Sequence, residues 1–309
     1  MLVSIAIPTY QRLHYLKEAV QSALNQTYPT IEVIIGQDPA PAGQFNSEIK
    51  EWAEALATNN TKVKYFLNST NLGLAGNWNS LAEKASGEYA IIIGDDDRIK
   101  PNSIATMAES FSLKPDVIFS NQDIINENGE KLDADLNALY HRNILLPGIL
   151  SDAEATIWRN SVPMSSSLIK TEWLRKLKFK NDLNTPEIEF FLRLADQKGT
   201  FYYTPAILTE YRVHQNSATS QGLRVHNLLK YLIALPVSEG NRPLKYQFIS
   251  SSIIPATNLC LKEGNKKQAK LFLDSTFYPH SFKASLKKIV QRLFYYLPTN
   301  LVIKIYKFL

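Results

Sequence analysis

The 309-residue chain contains a single cysteine, Cys260, and three methionines. One cysteine excludes an internal disulfide framework and fits a reducing compartment. The sequence lacks any run of about 18 uninterrupted apolar residues, the length that a membrane-spanning helix needs. Its first residues, MLVSIAIPTYQR, have neither a basic start nor a long apolar stretch, so we expect no secretory signal. These absences predict a cytoplasmic protein without a spanning helix.

Acidic residues are missing from the end of the chain. No aspartate or glutamate follows Asp274, while six basic residues do, so a net charge of +5 leaves −1 for the rest. The basic character therefore belongs to the tail and does not indicate a nucleic-acid groove in the body, so we expect no nucleic-acid partner. Apolar residues between Leu286 and Leu297 share one helical face, which predicts a basic amphipathic tail at about 281–309 on an anionic membrane surface. The alternative is a helix packed on its own core with its lysines in water.

The first half of the chain alternates between short apolar runs and helical patterns. Strands are predicted at 3–8, 31–36, 63–67, 89–93 and 116–120, and helices at 13–26, 47–57, 76–85 and 103–111. This order is typical of an α/β fold, a Rossmann-like, mostly parallel central sheet flanked by helices. Such sheets bind ligands at the carboxyl ends of their strands, where Thr9, Asp38 and Asp95–Asp97 fall.

The second half is less regular. Residues 121–150 read as a loop or short hairpin, and those after about 222 as helices. The elements between them are predicted as helices at 151–160 and 186–199, a strand at 165–170, and two strands in TFYYT and ILTEYRVH. The expected architecture is therefore an α/β domain with a helical C-terminal extension.

The stretch EYAIIIGDDDRIKP places three adjacent carboxylates after a buried strand. Three such groups repel one another unless water solvates them or a positive charge lies among them. Carboxylate oxygens are the ligands that Mg²⁺ and Mn²⁺ prefer, and one or two can hold such an ion beside substrate phosphates. A solvated turn is the alternative, because aspartate is common in turns.

The ordered set SIAIPTYQR, NQTYPTIEVIIGQD and NLGLAGNWNSLAEKASGEYAIIIGDDDRIKP resembles the family 2 glycosyltransferases of the GT-A fold. The stretch YRVHQNSAT resembles the end of that family's catalytic domain, so the resemblance runs from about residue 2 to 219. It implies a catalytic domain at 1–220, with a nucleotide-binding half at 1–120 and an acceptor half at 121–220. Residues 221–309 would form the helical C-terminal region.

The resemblance implies roles for individual residues. The nucleotide-sugar would be bound by Pro8, Thr9, Tyr10, Arg12, Asp38, Asn71, Gly73, Asn79, Asp95 and Arg212. A divalent cation, Mn²⁺ or Mg²⁺, would be held by Asp96, Asp97 and His214. Three positions depart from the family pattern, which commonly has acids at Gln37 and Gly94 and a basic residue at Trp78.

An inverting sugar transfer also needs a base for the acceptor hydroxyl. In the family this base is an acid on a later helix, and the matching stretch here is TPEIEFFLRL. Glu187 lies six residues before Arg193 and is the expected base, with Glu189 as the alternative. Both could instead be acids at a helix N-terminus, which the helix dipole favours.

By this resemblance the protein is expected to be a metal-dependent inverting glycosyltransferase of cell-surface polysaccharide synthesis. The donor would be a UDP- or dTDP-sugar, with a GDP-sugar less favoured, and the acceptor a glycan or lipid-linked glycan. The basic tail would make it peripheral at the inner face of the cell membrane.

Two other functions stay open. A non-catalytic nucleotide- or sugar-binding relative is favoured by Gln37 and Gly94 and opposed by the retained Asp38, Asp96, Glu187 and His214. A nucleotidyltransferase would carry a glycine-rich, basic phosphate loop near its N-terminus, and IPTYQRLHYL has none.

Overall fold

The computed structural model describes residues 1–40, 43–215 and 225–308, without the side chains of 307 and 308. The chain divides into two compact units, Met1–Gly222 and Leu223–Leu309. The first contains a large sheet with helices, and the described residues of the second are helical or in loops. No helix in the described part of the chain is both long enough and apolar enough to cross a membrane.

The first unit is built on a sheet that has nine strands within the described residues. They are β1 (Val3–Thr9), β2 (Ile31–Gln37), β3 (Val63–Leu67), β4 (Tyr89–Ile92), β5 (Arg98–Ile99), β6 (Val117–Ile125), β7 (Gly148–Ile149), β8 (Ser167–Lys170) and β9 (Phe201–Arg212). β2 and β4 are buried along their whole length, and β1 along nearly all of it. Burial on both faces explains why these strands are apolar runs and do not alternate.

The strand order is β3-β2-β1-β4-β8-β6-β9-β5, with β7 paired to β9. β3, β2, β1 and β4 are mutually parallel, and β6 is parallel to β9. β8 is antiparallel to both β4 and β6. This confirms the predicted α/β class with a Rossmann-like sheet. The reversed β8 also brings the start of a strand to the edge where β4 ends.

Eight α-helices accompany the sheet in the described residues. They are α1 (Leu13–Leu24), α2 (Ser47–Asn59), α3 (Gly73–Lys84), α4 (Ser103–Ala108), α5 (Leu136–Leu139), α6 (Ala153–Trp158), α7 (Thr171–Leu177) and α8 (Glu187–Asp196). α1 and α3 pack on β1, and α1 buries Leu16 and Val20 in the core that β1 and β2 line. α2 begins where the Asn46 side chain accepts the N–H of Ile49, because a helix N-terminus leaves such donors without partners.

The carboxyl ends of three parallel strands meet at one edge of the sheet. Thr9 pairs with Gln37 in the register of β1 and β2, and Asp38 N–H donates to the Thr9 carbonyl at 2.9 Å. On the other side of β1, Ile93 N–H donates to the Ala6 carbonyl. The polar residues that follow β1, β2 and β4 are therefore neighbours in space.

One prediction about the second half of this unit was wrong. The stretches expected as two strands form one strand, β9, with Pro205 in its interior. Proline lacks an N–H, and the register with β6 shifts on both sides of Asn121, whose side chain donates to the Pro205 carbonyl. The loop or short hairpin expected at 121–150 is present in part. β6 continues to Ile125, which pairs antiparallel with Lys131 across a turn, and α5 and β7 follow.

The second unit contains five α-helices in its described residues. They are α9 (Val225–Ala234), α10 (Arg242–Lys262), α11 (Lys266–Leu273), α12 (Phe282–Tyr296) and α13 (Thr299–Phe308). Its core includes Leu229, Ile253, Phe272 and Tyr278, which are fully or almost fully buried. The predicted helical C-terminal extension is confirmed.

Candidate active site

The three aspartates follow β4 at the carboxyl edge of the sheet. Asp95 and Asp97 are buried, whereas the Asp96 side chain is 13% exposed. Thr9, at the end of β1, donates from Oγ1 to Asp95 Oδ2 at 2.7 Å. A Cβ on Gly94 would lie 2.5 Å from Asp96 Oδ1, so the acid that the family commonly has at this position would displace Asp96.

The positive charge among the aspartates is the guanidinium of Arg12. It bonds through Nη2 to Asp95 and through Nη1 to Asp96 Oδ2 at 2.7 Å. Burial alone would lower the pKa of Arg12, but Asp95 and Asp96 outweigh burial and raise it above its ordinary value. Burial also raises the pKa of Asp95 to about 6, against the lowering effect of Arg12. The cluster is thus an ion-paired group and is not a solvated turn.

His214, which follows β9, completes this cluster. Its Nε2 lies 2.9 Å from Asp96 Oδ2 and 3.0 Å from Arg12 Nη1. When Nε2 carries a proton it donates to Asp96, and when it carries none it accepts from Arg12. Residues from the ends of β1, β4 and β9 therefore converge on the Asp96 carboxylate.

Asp97 and Arg212 connect the acidic loop to the end of β9. Asp97 Oδ1 accepts the backbone N–H of Arg212 at 2.9 Å, and the Ser165 hydroxyl donates to the same carboxylate. Burial, together with the charge of Asp96, raises the pKa of Asp97 well above its ordinary range. The Arg212 guanidinium is 1% exposed and donates from Nε to the Asp96 carbonyl at 2.7 Å and from Nη2 to Glu18 at 2.6 Å. It holds the backbone of the acidic loop in place.

Asp38 lies at the end of β2 beside a polar loop. Its carboxylate accepts from Asn68 Nδ2 at 2.8 Å and from the Leu72 N–H at 3.2 Å, and burial raises its pKa. Asn71 donates to the Pro39 carbonyl and accepts the N–H of Gly73. Gly73 has a φ of +70°, a backbone conformation that favours glycine. These bonds shape a loop that starts α3 next to Asp38.

Gln37 replaces an acid that the family commonly carries, and its surroundings explain the replacement. The side chain is fully buried. It accepts from the Tyr65 hydroxyl at 2.6 Å and donates to the Asn46 carbonyl at 3.0 Å. An ionised carboxylate could not donate to a carbonyl, so the amide suits this position.

The two glutamates of α8 have different environments. Glu189 is 1% exposed and pairs with Arg193, at 2.7 Å for both oxygens. Glu187, at the first position of the helix, keeps part of its surface exposed, whereas its carboxyl group is surrounded by protein atoms. Its carboxylate bonds to its own backbone N–H and has no side-chain partner among the described residues. Burial raises the pKa of Glu187 to about 7. A carboxylate in this state is suited to take up a proton near neutral pH.

The other predicted donor-site residues lie in β1, the loop after it and α3. Pro8 is in β1 next to Thr9, and Tyr10 is 38% exposed just after the strand. Asn79 on α3 exchanges two hydrogen bonds with the backbone of Phe179, at 2.8 and 2.9 Å. Trp78, where the family often has a basic residue, packs edge-on against the Phe179 ring. Asn79 and Trp78 thus connect α3 to the segment between α7 and α8.

A divalent cation fits two of the predicted ligands. Asp96 Oδ2 and His214 Nε2 are 2.9 Å apart, close to the roughly 3 Å expected between neighbouring ligands of an octahedral ion. In the described part of the chain no three His, Cys, Asp or Glu side chains form a cation site. Mg²⁺ commonly takes one or two side chains and completes its shell with waters and phosphates. Asp97 accepts hydrogen bonds from the Ser165 hydroxyl and the Arg212 N–H. Asp96 Oδ2 accepts one from Arg12, so a bound cation would compete with Arg12 for this carboxylate.

Several residues of the site have no sequence pattern that could reveal them. Ser165 connects Asp97 to Gln122, which donates to its hydroxyl at 2.9 Å. Glu18, on α1, pairs with Arg212 across 194 positions of sequence. Both are ordinary polar residues in their local context. The antiparallel placement of β8 brings Ser165 to the cluster, and this placement could not be predicted from periodicity.

Comparison with known proteins gives consistent results. The model of the family described as "Glycosyl transferase family 2" matches residues 4–178. An uncharacterized glycosyltransferase of Rickettsia bellii is 25% identical over 235 residues, covering 73% of this chain and 32% of that protein. A Campylobacter jejuni GalNAc(5)-diNAcBac-PP-undecaprenol beta-1,3-glucosyltransferase is 29% identical over 108 residues, covering 35% and 33%. The chain thus spans about a third of the length of these relatives.

Solved structures share the fold. S. aureus TarS 1–349 in complex with UDP-GlcNAc aligns with a TM-score of 0.65 at 14% identity, over 99% of this chain and 92% of that one. The mannosyltransferase PcManGT from Pyrobaculum calidifontis, in complex with GDP-Man and Mn²⁺, aligns with a TM-score of 0.60 at 14% identity, over 98% and 83%. These likenesses show the GT-A fold. Because the family model matches more than half of its length, this chain belongs to glycosyl transferase family 2.

Proposed function

We propose that this chain transfers a sugar from a nucleoside-diphosphate sugar to a hydroxyl of a glycan or lipid-linked acceptor, with inversion at the anomeric carbon. The observation that carries the proposal is the convergence of Thr9, Arg12 and His214 on Asp95 and Asp96. Such a cluster of opposite charges at the carboxyl edge of a parallel sheet is suited to bind a diphosphate and a cation. The family and the fold both agree with this function.

The donor would lie along the ends of β1, β2 and β4. Asp38 would accept a hydrogen bond from the base or ribose, and Pro8, Tyr10, Asn71 and Gly73 would line the nucleotide pocket. Asp95 would contact the ribose or sugar. We favour a UDP- or dTDP-sugar, which agrees with the UDP-GlcNAc bound to TarS. A GDP-sugar, like the GDP-Man bound to PcManGT, is the alternative.

We further propose that the reaction requires Mn²⁺ or Mg²⁺, held by Asp96 and His214 with Asp97 beside them. When bound, the ion supplies positive charge that stabilises the departing nucleoside diphosphate. Arg12, which donates to Asp96 Oδ2, would exchange this bond for a contact with the diphosphate when the ion binds. Arg212 would act on this group indirectly, because it fixes the Asp96 backbone.

Glu187 would be the base. As the acceptor oxygen forms its bond to the anomeric carbon, the bond to the diphosphate breaks and Glu187 takes the proton of the acceptor hydroxyl. A single displacement of this kind inverts the configuration. Its raised pKa, about 7, and its lack of a side-chain partner among the described residues support this role. Glu189 is the weaker candidate, because Arg193 neutralises it in a buried pair.

The acceptor is proposed to be a growing cell-surface glycan carried on a lipid. One relative is named for transfer to an undecaprenol-linked glycan. An acceptor of this kind would place the protein at the inner face of the cell membrane as a peripheral protein.

Calorimetric titration of UDP, dTDP, GDP and CDP, each with Mn²⁺ and with EDTA, tests the donor site. We expect one nucleotide to bind in a metal-dependent manner, and Asp96→Ala to abolish this binding. Glu187→Gln is the matched control and should bind the same nucleotide with unchanged affinity. If no nucleotide binds under either condition, the transferase proposal fails.

Turnover separates an enzyme from a non-catalytic relative. The purified chain, given the preferred nucleotide-sugar and a lipid-linked glycan, should transfer the sugar to the glycan hydroxyl and release the nucleoside diphosphate, and Glu187→Gln should do neither. Release of pyrophosphate from a nucleoside triphosphate and a sugar phosphate would instead identify a nucleotidyltransferase. Nucleotide binding without any release of product would identify a binding protein.

A further inference from the structure

Helix α12 has two opposite faces, and the apolar one points away from its own unit. Its outward face consists of Phe282, Leu286, Ile289, Val290, Leu293 and Tyr296, all exposed. Phe282 and Tyr296, at the two ends, are 78% and 79% exposed, and Leu293 between them is 61% exposed. These residues recur at intervals of three and four, so they form one continuous stripe along the helix.

The inward face of α12 is fixed by a polar side chain. Gln291 is 2% exposed. It accepts from the Tyr278 hydroxyl at 2.7 Å and donates to the Ile254 carbonyl at 2.9 Å and the Asn258 side chain at 2.6 Å. At about 100° per residue, Gln291 lies roughly opposite the centre of the stripe. The apolar face therefore cannot turn inward without breaking the three hydrogen bonds of the Gln291 side chain.

Basic side chains border the stripe. Lys283 and Lys287 are exposed on one flank and Arg292 on the other. Arg292 is partly neutralised by Asp274 at 3.1 Å, but no acid follows Asp274 in the sequence. Lysine stems can lie along an apolar surface while their ammonium groups reach outward, which suits a boundary between hydrocarbon and anionic groups.

The charges decide between two occupants of the stripe. A second copy of this chain would bring Lys283, Lys287 and Arg292 against the same residues, and like charges repel. An anionic lipid surface supplies the missing negative charge and accepts the apolar side chains as well. The aromatic residues at the two ends of the stripe suit the headgroup region.

We propose that α12 lies in the plane of an anionic membrane, with Phe282, Leu286, Ile289, Leu293 and Tyr296 inserted and Lys283, Lys287 and Arg292 among the headgroups. Membrane binding by α12 depends on the side chains of this helix and does not depend on the transferase chemistry. Binding can be measured without substrate, so its failure would leave the transferase proposal intact.

Sedimentation of the full chain with vesicles tests the surface. The chain should bind vesicles of phosphatidylcholine and phosphatidylglycerol in equal parts, and bind phosphatidylcholine vesicles much less. Raising the salt concentration should weaken binding because it screens the charges. The double variant Ile289→Ser/Leu293→Ser should lower the partition coefficient roughly tenfold or more. Lys283→Gln and Lys287→Gln should each lower it about fivefold.

A matched control and a direct readout complete the test. Leu113→Ser removes an equally exposed leucine from the other unit and should leave vesicle binding unchanged. Tryptophan at position 296, in Tyr296→Trp, should shift its emission to the blue on anionic vesicles. Tyr246 is 39% exposed on α10. The fluorescence emission of the Tyr246→Trp variant should not shift when anionic vesicles are added.

Three results would overturn the proposal. The first is equal binding to neutral and anionic vesicles, or none to either. The second is unchanged binding by the Ile289→Ser/Leu293→Ser variant, with circular dichroism showing that it is folded. The third is a dimer in sedimentation velocity that this variant abolishes, without vesicle binding by the native chain, which would assign the stripe to a second copy.

Discussion

Arg12 and Asp96 lie 84 positions apart in sequence and 2.7 Å apart in the structure, with Nη1 donating to Oδ2. The same nitrogen lies 3.0 Å from His214 Nε2. One guanidinium therefore contacts both of the side chains that suit a divalent cation best. A positive charge of the protein's own therefore holds Asp95 and Asp96 together.

This relationship predicts competition between Arg12 and the metal. Without nucleotide, Arg12→Met should bind Mn²⁺ at least about tenfold more tightly than the native chain, because a positive charge within hydrogen-bonding distance is removed. The same variant should lose thermal stability in EDTA and regain it with Mn²⁺, since Asp95 is left buried without its counter-charge.

Mn²⁺ titration followed by electron paramagnetic resonance measures this affinity. Lys100→Met, which breaks an ion pair with Asp123 elsewhere on the sheet, is the control and should leave it unchanged. Weaker or equal Mn²⁺ binding by Arg12→Met would contradict the competition.

Removing the proposed base should slow turnover strongly and leave nucleotide binding unchanged. Glu187→Gln is expected to lower kcat by about a hundredfold or more, since proton transfer by a positioned side chain contributes that much. The dissociation constant of the nucleotide should stay within error of the native value. A variant that keeps most of its kcat would exclude Glu187 as base.

The pH dependence of turnover follows from the same carboxyl group. A base acts in its deprotonated form, and burial raises the pKa of Glu187 to about 7. The native kcat should therefore rise with pH and level off above about 7. A profile measured at saturating substrate that is flat from pH 5.5 to 8 would contradict this pKa or the role of Glu187.

Stability should respond to pH in the opposite direction. Because the folded pKa of Glu187 lies above its ordinary value of 4.5, the folded state holds a proton that the unfolded state releases. The stability that this proton confers is complete below about pH 4.5 and is lost as pH rises through about 7. Glu187→Gln should therefore melt at a higher temperature than the native chain at pH 8, as measured by differential scanning calorimetry, and the difference should shrink at pH 5.

Glu189, on the same helix, should behave differently. It is buried and bonded to Arg193, which also donates to the carbonyls of Leu177 and Lys178 at the end of α7. Breaking a buried pair costs about 3 kcal/mol or more, so Glu189→Ala should lower Tm by roughly 6–12 °C. If its melting temperature is unchanged, the pair does not stabilise the fold as the structure indicates.

Gly87 is expected to tolerate no side chain. A Cβ at this position would lie 2.7 Å from the backbone nitrogen of Ser4, in β1, and 2.8 Å from the carbonyl oxygen of Leu2, just before that strand. Gly87→Ala should therefore destabilise the protein by about 1–3 kcal/mol. Gly240→Ala is the control, because a Cβ there meets nothing within 4 Å. Urea unfolding should separate the two variants, and equal midpoints would contradict the close approach.

The acidic cluster illustrates what could be predicted from the sequence. Apolar runs followed by polar residues placed Thr9, Asp38 and Asp95 at one sheet edge, because parallel strands end together. The sequence also required a positive charge or water among the aspartates, but it could not identify Arg12 as that charge. The pairing of Glu18 with Arg212 depends on how β9 returns to the sheet, and no local pattern encodes that path.

Helix α12 shows a second limit. Its periodicity predicted which residues share a face. The alternative to a membrane-facing helix was a helix packed on its own core, which assumed that its apolar residues point inward. The structure places Gln291 inside and the apolar stripe outside, because one amide with three partners stabilises the inward face more specifically than apolar contacts do. Periodicity defines a face, and tertiary partners decide which way it points.

The buried amide of Gln291 has a consequence for the folding of the second unit. Two apolar faces on one helix would let it settle in either of two rotational registers. A single side chain that must meet Tyr278 and Asn258 admits only one. Gln291 thus selects one rotational orientation of α12, much as one buried asparagine selects the register of a coiled coil at some cost in stability. Replacing it with leucine would lose this selection and leave the helix free to bury its stripe.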